Sequence, residues 1–219
     1  MDNRSNDLST TKNKILQAAK ALFLEYGYDY TTIQRIVKKS GVSSGSIYHW
    51  YKGKEEIFQV LVDQLMQEAE VKIAAEVKNM PKIYCYVLLL SLEMETIDKN
   101  PIIRGMYRAT LASEAMFEKL VNRHTRYLFK LFEGQFSYNE CLQKTIVTCG
   151  AMNGYILSLD YVVERTELRE IYLDSALKMY NIPQDNIHFF IQALNLDHDI
   201  ILRIEKNLLD DFVGGSCTA

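Results

Sequence analysis

The chain has 219 residues, 48% hydrophobic and 24% charged, with a formal net charge of −3. The apolar content supplies a sizeable core for one or two domains. The longest apolar run nearby, Val87 to Leu90, is far short of the ~20 residues a membrane helix needs, and the N-terminus MDNRSNDLSTTK has no apolar signal core. Net charge alone does not suggest nucleic acid, but its distribution does. Residues 1–60 hold nine Lys and Arg against six Asp and Glu, whereas residues 61–219 hold sixteen against twenty-two. A basic N-terminal part on an acidic remainder predicts a nucleic-acid end and a different task elsewhere.

Residues 1–8 are polar and predict a disordered arm, with Arg4 available for a minor groove. A helix is expected from Ser9 to Tyr26, with Ile15, Ala19, Leu22 and Tyr26 on one stripe, broadened by Leu16 and Phe23, and with Gly27 as its C-cap. Thr31 with Gln34 gives a capping-box pattern that opens a second helix, whose Ile33, Ile36 and Val37 share a face. Gly41 suits a left-handed turn, Val42 plugs the corner, and Ser43 caps a third helix that buries Ile47 and Trp50 or Tyr51. Helix, glycine turn, helix is the arrangement that places its second helix in a DNA major groove. Ser44, Gly45 and Ser46 are small enough for close approach to DNA. Tyr48, His49, Tyr51, Lys52 and Lys54 add donors and positive charge. The competing reading is a surface helical hairpin with a solvated charged face.

The remainder reads as all-α. Helices are expected over Lys54–Lys78, Lys82–Lys99, Ile102–Ala112, Ser113–Phe136, Glu140–Arg165, a segment capped by Thr166 and running to Tyr180, and Gln184–Phe212, the last interrupted at Asp197-His198-Asp199. The tail over residues 213–219 is expected to be loose. Cysteines 85, 141, 149 and 217 show no metal or CxxC spacing and read as reduced thiols. The histidines at 49, 124, 188 and 198 are scattered, with no HExxH and no glycine-rich phosphate loop, so no catalytic residue, metal site or cofactor is expected and the chain does not read as an enzyme.

From Thr11 to Phe58 the sequence resembles the TetR family of transcriptional regulators. The likeness is carried by Ile15, Ala18-Ala19, Phe23, Gly27-Tyr28, Thr31-Thr32, Ile36, Gly41-Val42-Ser43, Gly45-Ser46-Ile47-Tyr48 and Lys54-Glu55-Glu56-Ile57-Phe58. Ser44 stands where many relatives carry Lys or Arg, and Trp50 where His or Tyr is commoner. The resemblance implies a helix-turn-helix domain over residues 9–56 and an effector-binding and dimerisation domain over 57–212. It assigns Thr32, Tyr48, Trp50 and Lys54 to the DNA backbone, and Ser44, Ser46 and His49 to base edges or adjacent phosphates, with Ser43 and Gly45 completing the interface. It further implies a cytoplasmic homodimer, pairing through 140–165 and 184–212, on a palindromic operator. A small apolar or aromatic effector would release that operator. Tyrosines and methionines suit a pocket for such a molecule, and Met94, Met106, Tyr107, Tyr127, Met152 and Tyr155 are the candidates, each with ordinary core as its alternative. A transcriptional activator, or a DNA-bound structural or division-control protein without an effector, is the other functional reading.

Overall fold

The helical period read from the sequence is realised along the chain. The computed structural model describes residues 3–77, 80–161, 164–196 and 198–214. Asp197, Cys217 and the Arg4 side chain lie outside the described residues, as does most of the expected loose tail. Among the described residues there are eleven helices and no strand. The chain divides into two units, residues 1–67 with 208–219, and residues 68–207.

The first unit holds α1 (Asn3–Tyr30), α2 (Ile33–Ser40), α3 (Ser44–Trp50) and the start of α4 (Lys54–Glu76). Helix α1 begins at Asn3, so it takes in most of the stretch expected to be a loose arm. Gly27, at φ 78° and ψ 175°, breaks it where the C-cap was expected. The cap of α2 is Thr32 rather than Thr31. Thr32 is extended and its hydroxyl accepts from the Arg35 N–H, whereas Thr31 is fully buried and donates to the Gly27 carbonyl at 2.8 Å. The cap moves by one residue because the Thr31 hydroxyl is used to close the Gly27 corner. Gly41 sits at φ 69°, and Ser43 accepts from the Ser46 N–H, as the turn reading required. Ile15, Ala19, Ile36, Ile47 and Ile57 are wholly buried. Phe23, Tyr28 and Phe58 form a triangle of rings with centroids 5.1–5.8 Å apart. Tyr51, not Trp50, fills the third-helix core position.

Lys54 ties this unit together. Its Nζ donates to the carbonyls of Tyr28 at 2.9 Å and Thr31 at 3.2 Å, and lies 4.1 Å from the centre of the Tyr28 ring. The Tyr28 hydroxyl donates to Glu55, next along the same helix.

The second unit holds the end of α4 with α5 (Lys82–Lys99), α6 (Pro101–Ala112), α7 (Glu114–Leu131), α8 (Tyr138–Ser158), α9 (Arg165–Met179), α10 (Gln184–Leu196) and most of α11 (His198–Gly214). Helix α5 is buried nearly all round, as a core helix must be when apolar on every face. Asn100 caps α6 by accepting from two backbone N–H groups. Helix α7 ends five residues before the expected Phe136, and Gly134 at φ 79° turns the chain there. A complete capping box of Ser137 and Glu140 starts α8. This helix stops at Ser158, not Arg165, and α9 begins at Arg165 with no side-chain cap bond, so Thr166 is not a cap. The last expected helix is indeed two, α10 and α11. Arg169 of α9 binds Glu95 and Asp98 of α5, the Tyr155 hydroxyl of α8 donates to Asp98, and Lys99 joins Glu95 to Glu205 of α11.

Removing the Lys54 ammonium leaves two carbonyls without its bonds. Lys54→Met should cost ~1.5–3 kcal/mol, the range for hydrogen bonds to a charged group. Urea unfolding followed by circular dichroism measures it, and a cost below roughly 0.5 kcal/mol would show that these bonds do not hold the corner.

Candidate nucleic-acid interface and buried cavity

The apolar sides of α2 and α3 are spent on the core, so their other sides face outward. Thr32, Ser43, Ser44, Gly45, Tyr48 and His49 are exposed, Ser46 and Trp50 half-buried. The Ser43 and Ser46 hydroxyls lie 2.9 Å apart, and Ser43 also caps the helix, so both are held in fixed positions. The Tyr48 ring is more than half exposed, and the His49 and Trp50 rings meet edge-on at 5.3 Å. A Cβ added at Gly45 would meet nothing within 4 Å, so packing within the chain gives no reason for glycine there. Lys54 lies at the rim with its ammonium bound to the α1 corner. Three residues that the sequence reading did not single out add to this face. Lys38 and Lys39 are exposed at the end of α2, and Arg35 donates to the Tyr30 carbonyl while its guanidinium covers the Tyr26 ring at 5.0 Å.

In the second unit, α5 to α9 enclose a small cavity lined by Tyr86, Leu90, Glu93, Tyr107, Leu111, Leu120, His124, Thr148, Cys149, Met152 and Tyr172. Its free interior, ≈ 20 Å³, suffices for about one water. Glu93 and His124 are its charged wall. Their Oε1 and Nε2 atoms face each other at 3.5 Å, both buried and without a hydrogen-bond partner among the described residues. On the other side of the ring, Nδ1 lies 3.9 Å from the Cys149 sulfur. Burial alone disfavours the charged imidazole, but Glu93 and Cys149 outweigh it and lift His124 to about 9. Burial, reinforced by Glu93, pushes the Tyr107 and Tyr172 hydroxyls well up.

Of the six effector candidates, Tyr107 and Met152 lie on this wall. Met94, itself wholly buried, lines a different hollow with Leu173, Leu194 and Ile201, and Met106 is half-buried. Tyr127 packs beside Tyr86 at 6.5 Å, and Tyr155 is tied to Asp98 and Arg169. Glu93 and His124 were not among the candidates. The signal for Glu93 was available, because a lone acid on the Tyr86–Leu90–Glu93 face of an apolar helix must meet a partner or a ligand.

Residues 15–61 match the model for bacterial regulatory proteins of the tetR family. The HTH-type transcriptional regulator QacR of Staphylococcus aureus is 31% identical over 158 residues, 66% of this chain and 84% of QacR. The chain belongs to the TetR family. The HTH-type regulator UidR of Escherichia coli is 23% identical over 125 residues, covering 57% of this chain and 64% of UidR. Among solved structures, RolR in complex with the ligand resorcinol superposes with TM-score 0.63 at 17% identity, over 85% of this chain and 95% of RolR. A TetR regulator from Rhodococcus sp. RHA1 gives 0.61 at 16%, over 79% and 97%. These two likenesses concern the fold.

As a TetR-family protein the chain is a DNA-binding transcriptional regulator. No described helix is long and apolar enough to cross a membrane, and no group of three His, Cys, Asp or Glu among the described residues is placed to hold a metal.

The charged pair in the cavity fixes a sign for pH dependence. A histidine raised from its ordinary value near 6.5 to about 9 adds stability that is complete below about 6.5 and lost as pH rises through 9. The urea midpoint of the native chain, relative to His124→Gln, should therefore fall between pH 6.5 and 9.5. A difference that stays constant over that range would remove the charged pair.

Proposed function

We propose that this TetR-family regulator is a homodimeric repressor that leaves a palindromic operator when a small effector enters the cavity between α5 and α9. The observation that carries the DNA half is Gly45 on an exposed α3, small for no reason within the chain. Tyr48, His49, Ser44 and Ser46 read or touch the operator from the same helix, and Thr32 and Trp50 meet its backbone. Lys54 acts mainly through the corner it holds. In vitro selection of bound sequences from random DNA tests this directly. A palindrome with half-sites about 34–36 Å apart is expected, and enrichment of a single half-site would overturn the dimeric reading. Gly45→Ala should stabilise the protein by ~0.5–1 kcal/mol, as Gly→Ala does within a helix, while weakening operator affinity. Unchanged affinity would separate this helix from the DNA.

For the dimer we keep the expected 140–165 segment, which is α8, and take α9 as its companion in place of 184–212. Val147 and Leu157 of α8 and Ile171 of α9 are each more than half exposed. Val147 and Ile171 border an apolar groove lined also by Ala151, Leu168 and Met179. Gly150 and Gly154 open the same face, since a Cβ added at either would meet nothing within 4 Å. An apolar face of this kind on a soluble regulator marks a contact surface, and TetR regulators act as dimers. Ile171→Glu should turn the dimer into monomers in sedimentation and lower operator affinity. A dimer that survives both Ile171→Glu and Val147→Glu would place the interface elsewhere.

The cavity is nearly closed, which favours the effector-independent alternative. Its wall argues the other way. A structural core gains little from a buried carboxylate and imidazole whose facing atoms stand at ion-pair distance without a hydrogen bond, whereas a ligand site uses such groups. RolR, of the same fold, was solved with the small phenol resorcinol. Binding would then part the wall, with Met152 as its most adaptable member.

A further inference from the structure

Three side chains on the cavity wall stand in the order thiol, imidazole, carboxylate. The Cys149 sulfur lies 3.9 Å from His124 Nδ1, and His124 Nε2 lies 3.5 Å from Glu93 Oε1. They come from α8, α7 and α5, so helix packing rather than local sequence brings them together. A thiol with an imidazole in reach, itself oriented by a carboxylate, is the arrangement of an activated sulfur nucleophile. The other described cysteines lack it. Cys85 is half-buried and Cys141 wholly buried, no imidazole is recorded beside either, and burial pushes both thiols up. The site also borders free space. Glu93 Oε1 and His124 Nε2 are buried on the cavity wall, paired across 3.5 Å, and neither has a hydrogen-bond partner among the described residues. The remaining wall, with Tyr86, Tyr107 and Tyr172, is apolar with hydroxyl tips and suits a small unsaturated carbonyl compound.

We propose that Cys149 is a covalent sensor, taking small electrophiles of the α,β-unsaturated carbonyl class. The inference rests on the effector-cavity reading and names the effector's chemistry. In the step, the Cys149 sulfur bonds to the β-carbon and the carbon–carbon π bond opens. The electron pair moves onto the carbonyl as an enolate. The thiol proton leaves to water, since His124 is already protonated at neutral pH, and a proton from the imidazolium moves to the α-carbon and is replaced from water. No group leaves, no oxidant is consumed, and the product is a thioether. Because the cavity holds about one water, the adduct cannot be accommodated without displacing the wall. The displacement a reversible effector would cause is thereby made permanent.

The test uses the whole protein with N-ethylmaleimide and its saturated, unreactive analogue N-ethylsuccinimide. Peptide mapping after limited exposure should find the adduct on Cys149 before Cys85, although Cys85 is the more exposed of the two. Operator affinity, followed by fluorescence anisotropy, should fall in step with Cys149 modification. Cys149→Ser should bind operator normally and ignore the reagent, with Cys149→Ala as the second variant. His124→Gln should slow modification of Cys149 at least tenfold relative to Cys85, roughly the low end of acid–base assistance. If either substitution prevents folding, the order of modification in the native chain decides. Adducts on Cys85 first, or a Cys149 adduct that leaves operator affinity unchanged, would overturn the proposal. If N-ethylsuccinimide releases the operator equally well, covalent capture falls and the effector cavity stands. If complete Cys149 modification and the succinimide both leave the operator bound, the effector reading falls with it.

Discussion

The end of α1 poses a problem that every helix end poses: its last carbonyls have no partner further along the chain. Here the solution organises the first unit. Gly27 turns the backbone in a region closed to other residues, and the freed carbonyls are taken one by one. Gly27 receives the Thr31 hydroxyl, Tyr28 the Thr31 N–H, and Tyr28 and Thr31 both receive the ammonium of Lys54. Lys54 is the first residue of α4, so one side chain fixes the angle at which α1 meets both α2 and α4. The Phe23–Tyr28–Phe58 triangle fills the space beneath. A positive charge that looks on paper like a DNA contact is first a helix cap. That is why α3, only seven residues long and unable to hold its shape alone, keeps a fixed outward face.

Much of this was legible because it is local. Gly41, Ser43, Ile36 and Ile47 fall where a turn, a cap and a 3.6-residue period require them, and no distant residue competes. The errors were also local in origin. Thr31 and Thr32 are equally good caps by type, and only the Gly27 corner, which engages the Thr31 hydroxyl, decides between them. Helix ends at Leu131 and Ser158 were misplaced because the sequences beyond them remain apolar enough to continue. The cavity was the opposite case. Glu93, His124 and Cys149 are separated by 31 and 25 positions, and their meeting depends on how α5, α7 and α8 pack. No spacing rule reaches that far. Tyrosine and methionine content does not separate Tyr107 and Met152 on this wall from Met94, which lines a different hollow.

The second unit contains two acid–base clusters of different character. Arg169, Glu95, Asp98, Lys99 and Glu205 are paired through several charge-assisted hydrogen bonds of 2.5–3.3 Å, and they fasten α5 to α9 and α11. Such a network leaves Asp98 Oδ1 without a hydrogen bond among the described residues but pairs its other charges directly, and its role is to hold. The Glu93–His124 pair is charge-balanced, but its facing Oε1 and Nε2 atoms lack hydrogen bonds among the described residues, and it borders free space. Burying such a pair in an apolar wall is costly where geometry is imperfect, so stability alone does not account for it. The contrast supports reading the first cluster as structural and the second as a site.

On the proposed reading, α4 is the element that links site and operator, because it is one unbroken helix. That helix begins at the Lys54 corner and runs to Glu76 as KEEIFQVLVDQLMQEAEVKIAAE, with no glycine or proline to absorb a displacement. Its later turns carry Glu70, whose carboxyl is raised by burial and drawn back down by His124, Arg123 and Lys130. Its last residue, Glu76, is paired with Arg203 of α11 at 2.8 Å. A change in the position or charge of His124 is therefore felt electrostatically on α4, in surroundings that screen charge less than bulk water does. On the proposed reading, typical allosteric coupling of ~1–3 kcal/mol is enough. It has only to favour one orientation of a short recognition helix over another in a dimer that must satisfy two half-sites at once.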